Sequence, residues 1–259
     1  MTDTQNFIFS DGGVAALERA LTVLRVLESS DAPITLAELS RTTGLYKSTI
    51  LRLMTSLERN GYAMKLQDGR YDLGVIAFRL GIAYERKNRL RASVAPVLRR
   101  LVAQGTESAS FHIRQDAAQR LCLLREDSHH STLDRVTAGD VFPLHSGAAG
   151  HVLLAFAGAT GKRYDDIRAF GWTLSLGERD PACAGVAAPV FGPEGILGAL
   201  SLSGPRERFR EKEIRKMRDI LSIHAGHLTT LLAGTWPQFK KIEKHRNFSP
   251  PEQAAEAAR

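Results

Sequence analysis

The chain has 259 residues, 43% hydrophobic and 24% charged, with 35 Lys and Arg against 28 Asp and Glu for a formal charge of +7. That length suits one large domain or two smaller ones with a sizeable core, and no apolar run in it is long enough to span a bilayer, so no membrane partner is expected. The basic excess admits an acidic partner such as nucleic acid without requiring one.

Residues 1–13 read as a flexible arm, with neither the basic start nor the apolar core of a signal peptide. Cys122 and Cys183 have no close spacing and no matching histidine cluster. They read as reduced thiols, which points to the cytoplasm. From residue 14 to 27, Ala16, Leu17, Ala20, Leu21, Leu24 and Leu27 give a helix with one apolar face. A turn over 29–33 follows. In residues 34–73, Leu36 and Leu39 mark a short helix that Thr35 can cap and Gly44 can end. Leu45, Ile50, Leu53, Met54 and Leu57 then recur at helical spacing, and strands at 62–66 and 70–73 flank the turn Gln67-Asp68-Gly69. Helix, turn, helix and wing is the arrangement of a reader of double-stranded DNA.

A major groove admits one helix, whose first turns meet base edges while neighbouring groups hold phosphates. Between Arg41 and Arg70 there are six Lys or Arg against Glu58 and Asp68. The predicted DNA-contacting set is Thr35, Arg41, Tyr46, Lys47, Ser48, Thr49, Arg52 and Arg70. The plainer alternative is a small helical subdomain with a basic solvated face.

Residues 75–91 are predicted as a linker helix, with Ile76, Leu80, Ala83 and Tyr84 at helical spacing. A palindromic operator needs two readers held about one turn of DNA apart. Self-association through this helix and that at 14–27 would supply a homodimer. A second domain over 92–235 opens with a helix at 94–104 and a hairpin at 109–114 and 120–125. It continues with a strand within 137–144, a helix at 147–157, a short helix at 162–170, strands at 185–191 and 196–203, and a long amphipathic helix at 207–232. Residues 236–259, with Pro237, Pro250 and Pro251, are expected to be a disordered tail. The predicted fold is therefore α/β in two domains: an all-α-dominated winged helix-turn-helix over 14–74, then a mixed α/β domain with an antiparallel sheet.

No enzyme constellation emerges. His224 and His227 share a helix without a third ligand, and His112, His129 and His130 lack a completing Cys or carboxylate pair. Ser108 and Ser110 stand outside any GxSxG elbow. Neither cofactor nor metal is expected. A ligand-sensing pocket fits better. The amides of Gly147, Ala148 and Ala149 open a helix, a start that favours an anion. Ser201 and Ser203 share one strand face opposite Leu200 and Leu202. Those hydroxyls either line a cavity or bond to backbone. A small-molecule-metabolising enzyme with an accessory helical domain is the rival reading.

Three fragments in this order resemble the IclR family of bacterial transcriptional regulators: ALERALTVLRVLESSDAPITLAELSRTTGLYKSTILRLMTSLERNGY, PLHSGAAGHVLLA and GVAAPVFGPEGILGALSLSGP. The resemblance covers roughly residues 16–232. It implies a GAF-like effector domain, dimers or tetramers, and operator binding modulated by a small organic effector, often a carboxylate or aromatic acid. The recognition helix would be 47–60, and the wing around Arg70 would meet backbone or minor groove. The effector pocket would use Ala148, Ala149, Ser175, Gly185, Ser201 and Ser203. Glyoxylate- and pyruvate-responsive members carry an acidic residue and a cysteine where this chain has Ser175 and Gly185. Cys183, two residues earlier, would return to the same strand face. His151 replaces a lysine often found there.

Overall fold

The computed structural model divides into two compact units, Met1–Asn88 and Arg89–Arg259, of which residues 13–87 and 90–240 are described. Residues 1–12 of the arm expected over 1–13, and the end of the chain from 241, lie outside the described residues.

The first unit is built from α1 (Ala15–Glu28), α2 (Leu36–Thr43), α3 (Lys47–Arg59), the strands β1 (Ala63–Lys65) and β2 (Tyr71–Leu73), and α4 (Val75–Lys87). Its core gathers Val23, Val26 and Leu27 of α1 around Leu39, Ile50, Met54 and Tyr71. Each such side chain contributes about 1.5–3 kcal/mol on burial, enough to fix helices too short to stand alone. At the start of α2, Thr35 Oγ accepts from Glu38 N–H while the Glu38 carboxylate accepts from Thr35 N–H, a reciprocal capping box. Gly44, at φ 69°, ends α2 in the left-handed conformation. The wing pairs Ala63 with Leu73 and Lys65 with Tyr71. Ile34 exchanges two backbone hydrogen bonds with Tyr71, at 2.9 and 2.8 Å, tying the entry of α2 to the wing. Helix α4 buries none of its side chains and leaves Val75, Phe78, Leu80, Ile82 and Tyr84 exposed.

The second unit carries α5 (Leu90–Ala103), β3 (Ser108–Arg114), β4 (Gln119–Glu126), β5 (Val141–Pro143), α6 (Ala148–Phe156) and α7 (Lys162–Phe170). These are followed by β6 (Thr173–Leu176), β7 (Cys183–Gly192), β8 (Gly195–Pro205) and α8 (Glu211–Leu231). The strands form one antiparallel sheet in the order β5-β4-β3-β8-β7-β6. Strand alternation sorts its two faces. Ala109, Phe111, Val186, Ala188, Leu200 and Leu202 point to the main core with α5 and α8. Ala187 and Ala199 point to the other face, where α6 packs. Cross-strand pairs then align Ser175, Gly185, Ser203 and Ser108 in one row and Ala187, Ser201 and Ser110 in the next. That face is polar where the opposite one is apolar.

Two expectations change. The strand β6 was not anticipated: at four residues it is too short for its alternation to stand out, yet its pairing with β7 puts Ser175 beside Gly185. Of the tail expected over 236–259, residues 236–240 are described and pack against the second unit. Trp236 and Phe239 meet edge-on at 5.0 Å, Trp236 meets Phe191 at 6.3 Å, and Lys240 N–H donates to Ala169 O at 2.8 Å. Aromatic packing outweighs the proline signal there.

Candidate functional site

In the first unit, Tyr46 is the N-cap of α3, and Lys47, Ser48, Thr49 and Arg52 fall on its first turns. Tyr46, Lys47, Ser48 and Arg52 are exposed and Thr49 is half-buried, while Ile50, Met54 and Leu57 turn into the core. The helix thus presents its polar N-terminal end outward because its apolar stripe is taken. Arg41 closes α2 and Arg70 precedes β2. Both act on the carboxyl of Glu38, which lies below its ordinary range chiefly through the Thr35 hydroxyl and amide, then through Arg41 and Arg70. Thr35 has its hydroxyl engaged in the capping box, and Arg70 is held by Asp68 at 2.7 Å across the wing turn.

In the second unit, Ala148, Ala149, Ser175, Gly185, Ser201 and Ser203 all line one cavity between the polar sheet face and the start of α6. The cavity has about 450 Å³ of empty volume including its open mouth. It fits a compact ligand. Ser201 Oγ donates to Val186 O at 3.2 Å, so one of the two strand hydroxyls does bond to backbone. A Cβ on Gly185 would come within 3.3 Å of Leu202 O, so the glycine leaves the cavity floor open. Cys183 also lines the cavity, on the same strand face as Gly185.

Sequence reasoning missed His112, Arg120, Phe142, Glu178 and Arg179, which share this lining. The period-two run Ser108, Ser110, His112, opposite Ala109 and Phe111, was the available signal for the first of them. His112 Nε2 lies 3.0 Å from Ser110 Oγ. Burial, followed by the charges of Arg120, Arg125 and Arg179, holds His112 well below its usual range and so keeps it neutral. Arg120 is 3% exposed, and Arg120 and Arg179 each sit 5.1 Å from the Phe142 ring centroid.

The sequence suggested an open Gly147 amide, but it is engaged. It donates to Glu178 Oε2 at 3.0 Å, because the positive end of α6 recruits a carboxylate of the chain itself. The same oxygen lies 2.5 Å from His151 Nε2, and Arg163 Nη1 lies 3.2 Å from Glu178 Oε1. Burial would raise the Glu178 carboxyl, but the His151 hydrogen bond and charge, the Gly147 amide and Arg163 overcome it and bring it to about 2. Among the described residues no group of three or more His, Cys, Asp or Glu is placed to hold a metal ion, and no helix is long and apolar enough to cross a membrane.

A winged helix-turn-helix followed by an α/β unit with a small internal cavity is the plan of a ligand-responsive DNA-binding regulator. Residues 16–66 match the IclR helix-turn-helix domain, and residues 159–229 match the C-terminal domain of the bacterial transcriptional regulator IclR. The transcriptional regulator BhcR of Paracoccus denitrificans is 30% identical over 245 residues, covering 84% of this chain and 87% of that protein. An IclR-type regulator from a Silicibacter species superimposes with a TM-score of 0.74 at 24% identity, over 87% of this chain and 100% of that one. An IclR homologue of Microbacterium hydrocarbonoxydans complexed with 4-hydroxybenzoate gives a TM-score of 0.69 at 20% identity, over 84% and 100%. The chain belongs to the IclR family of bacterial transcriptional regulators, and it is a DNA-binding regulator of transcription.

Proposed function

We propose that a small organic effector, a carboxylate or aromatic acid, binds in the cavity of the second unit and thereby modulates how the protein binds its operator. The observation that carries this reading is the convergence of Ala148, Ala149, Ser175, Gly185, Ser201 and Ser203 on one cavity. The Microbacterium homologue, complexed with 4-hydroxybenzoate, supports an acid as the ligand class. Lys47, Ser48, Thr49 and Arg52 would enter the major groove at the start of α3, with Tyr46, Arg41 and Arg70 against the flanking backbone and Thr35 holding α2 in place. The protein would act in the cytoplasm as a homodimer or homotetramer, since a palindromic site needs paired readers. The exposed apolar side chains of α4 offer a surface for that pairing. It would bind its effector unchanged, without catalysis or cofactor.

Two measurements test this. Footprinting on the DNA upstream of neighbouring genes should protect a palindrome, and protection should change when effector is added. Turnover of the effector would instead favour the enzyme reading. The double variant Ser201→Ala, Ser203→Ala should lose about 1–3 kcal/mol of effector affinity, as expected for unpaired polar groups of the ligand, with operator affinity unchanged in the absence of effector. Calorimetry showing equal affinity would remove these hydroxyls from the site.

A further inference from the structure

The cavity holds a buried cation with no carboxylate at ion-pair distance among the described residues. Arg120 is 3% exposed, and among the described residues no carboxylate forms an ion pair with it. Its Nη1 donates to Pro143 O and to Ser146 O. Its Nε is buried and has no acceptor, and Nη2 lies beside Gly147 at the cavity wall without one among the described residues. Of the neighbouring carboxylates Glu178 relieves it only in part, from beyond ion-pair distance. Glu178 is engaged by His151, Arg163 and the Gly147 amide, while Asp134 is shared between Arg125 and Arg179. Burial and the charge of Arg179 accordingly press Arg120 down to about 10. Beside it His112, 4% exposed, has an Nδ1 with no partner.

Two neutral carbonyls can orient a guanidinium but cannot offset the cost of burying its charge, which needs a paired anion. We infer that Arg120 is the counter-ion of the effector. The ligand is a compact organic anion whose carboxylate seats on Nη2, the guanidinium nitrogen at the cavity wall. This rests on the effector reading above and adds to it the residue that selects for charge. A purely structural Arg120, pinning the loop between β5 and α6 through Pro143 and Ser146, would be indifferent to the charge of the ligand.

The test uses the full chain and three sodium carboxylates, acetate, benzoate and 4-hydroxybenzoate, each against its neutral amide at constant ionic strength. Binding is read by calorimetry and by melting temperature. At least one acid should bind, and its amide should bind about 30-fold more weakly or worse, since losing one partner of a buried hydrogen-bonded charge pair costs that much. Arg120→Gln should erase the difference between acid and amide. Arg120→Lys keeps the cation and gives up the planar guanidinium, so it should lower acid affinity about tenfold and leave the amide unmoved; this variant carries the test if the glutamine does not fold. Failure of all three acids to bind, amides binding as well as acids, or an acid preference surviving in Arg120→Gln would each overturn the assignment. An acid that binds with the expected preference but leaves operator affinity unchanged supports Arg120 and sinks the regulatory reading instead.

Discussion

The candidate DNA-contacting groups of the first unit come from one stretch of chain, Thr35 to Arg70, and local signals place most of them. The cavity of the second unit draws on all six strands, β3 to β8, and the start of α6, from His112 to Ser203. The difference shows in how each tolerates damage. A surface made by one helix and its caps degrades residue by residue, while a cavity made by distant strands depends on the close approach of their backbones.

The harshest way to expose that contrast is Gly150→Ala. A Cβ there would lie 2.2 Å from Leu144 O, so α6 cannot keep its seat. We expect a loss of about 3 kcal/mol or more, at the upper end for overpacking, seen as a lowered melting transition with effector binding abolished. Gly44→Ala in the first unit meets nothing within 4 Å and suffers only its left-handed φ of 69°, so it should cost about 1 kcal/mol. Equal losses in the two variants would break the comparison.

Next in size is Arg52→Ala. An exposed arginine on the outward side of α3 supports no core contact, so the fold and effector binding should persist. Operator affinity should fall by about 1–3 kcal/mol if Arg52 reads a base, or less and evenly across sequences if it holds a phosphate. A mobility-shift titration with unchanged affinity rejects both roles. Steep salt dependence should accompany wild-type binding. If two copies neutralise about eight phosphates between them, affinity drops ~10³–10⁵-fold between 50 and 200 mM salt.

Legibility followed the same division. Capping by Thr35, the turn at Gly44, the stripe of Ile50, Met54 and Leu57 and the wing turn at Asp68-Gly69 are short-range patterns, and each stands where the sequence put it. Ser201 and Ser203 were readable from strand alternation, whereas Ser175 and Gly185 came only with the family resemblance, because β6 is too short to show itself. Arg120 and Glu178 were not readable at all. An arginine in the run Gln119–Glu126 looks like an outward strand residue, and nothing local tells that β5 and α6 fold over it. His151, a departure with no evident meaning in the sequence, acquires one through Glu178.

A third contrast is in pH. His112 is protonated in the unfolded chain below about 6.5 but stays neutral in the fold, so the unfolded state binds more protons and stability falls as pH drops below that value. Its largest slope is about 1.4 kcal/mol per pH unit. Glu178 adds its own loss from the ordinary carboxylate range near 4.5 down to about 2. Denaturant titrations at pH 7, 6 and 5 should therefore show the second unit weakening, with His112→Gln flattening the decline. An unchanged slope in that variant would show that His112 is not the group responsible.

The smallest effect tests the first unit from within. Thr35 belongs to the predicted DNA-contacting set, yet its hydroxyl accepts from Glu38 N–H at 3.2 Å and lies 2.6 Å from Glu38 Oε2, so it is spent on holding α2. Thr35→Ala should cost about 1 kcal/mol of stability, the usual value of an N-cap, and Thr35→Ser should restore it because a serine hydroxyl caps as well. If Thr35 acts only as a cap, operator affinity in the alanine variant at a temperature well below melting stays within about twofold of wild type. A loss of tenfold, rescued by serine only in part, would give the threonine methyl a contact with DNA and make the edge of this surface broader than α3 and the wing. Glu38 decides between these outcomes on charge. Its charge is felt by both Arg41 and Arg70, so a phosphate approaching there meets two guanidiniums and one carboxylate. Glu38→Gln should tighten operator binding slightly through those arginines while weakening the cap, a pair of opposite shifts that a direct Thr35 contact does not produce.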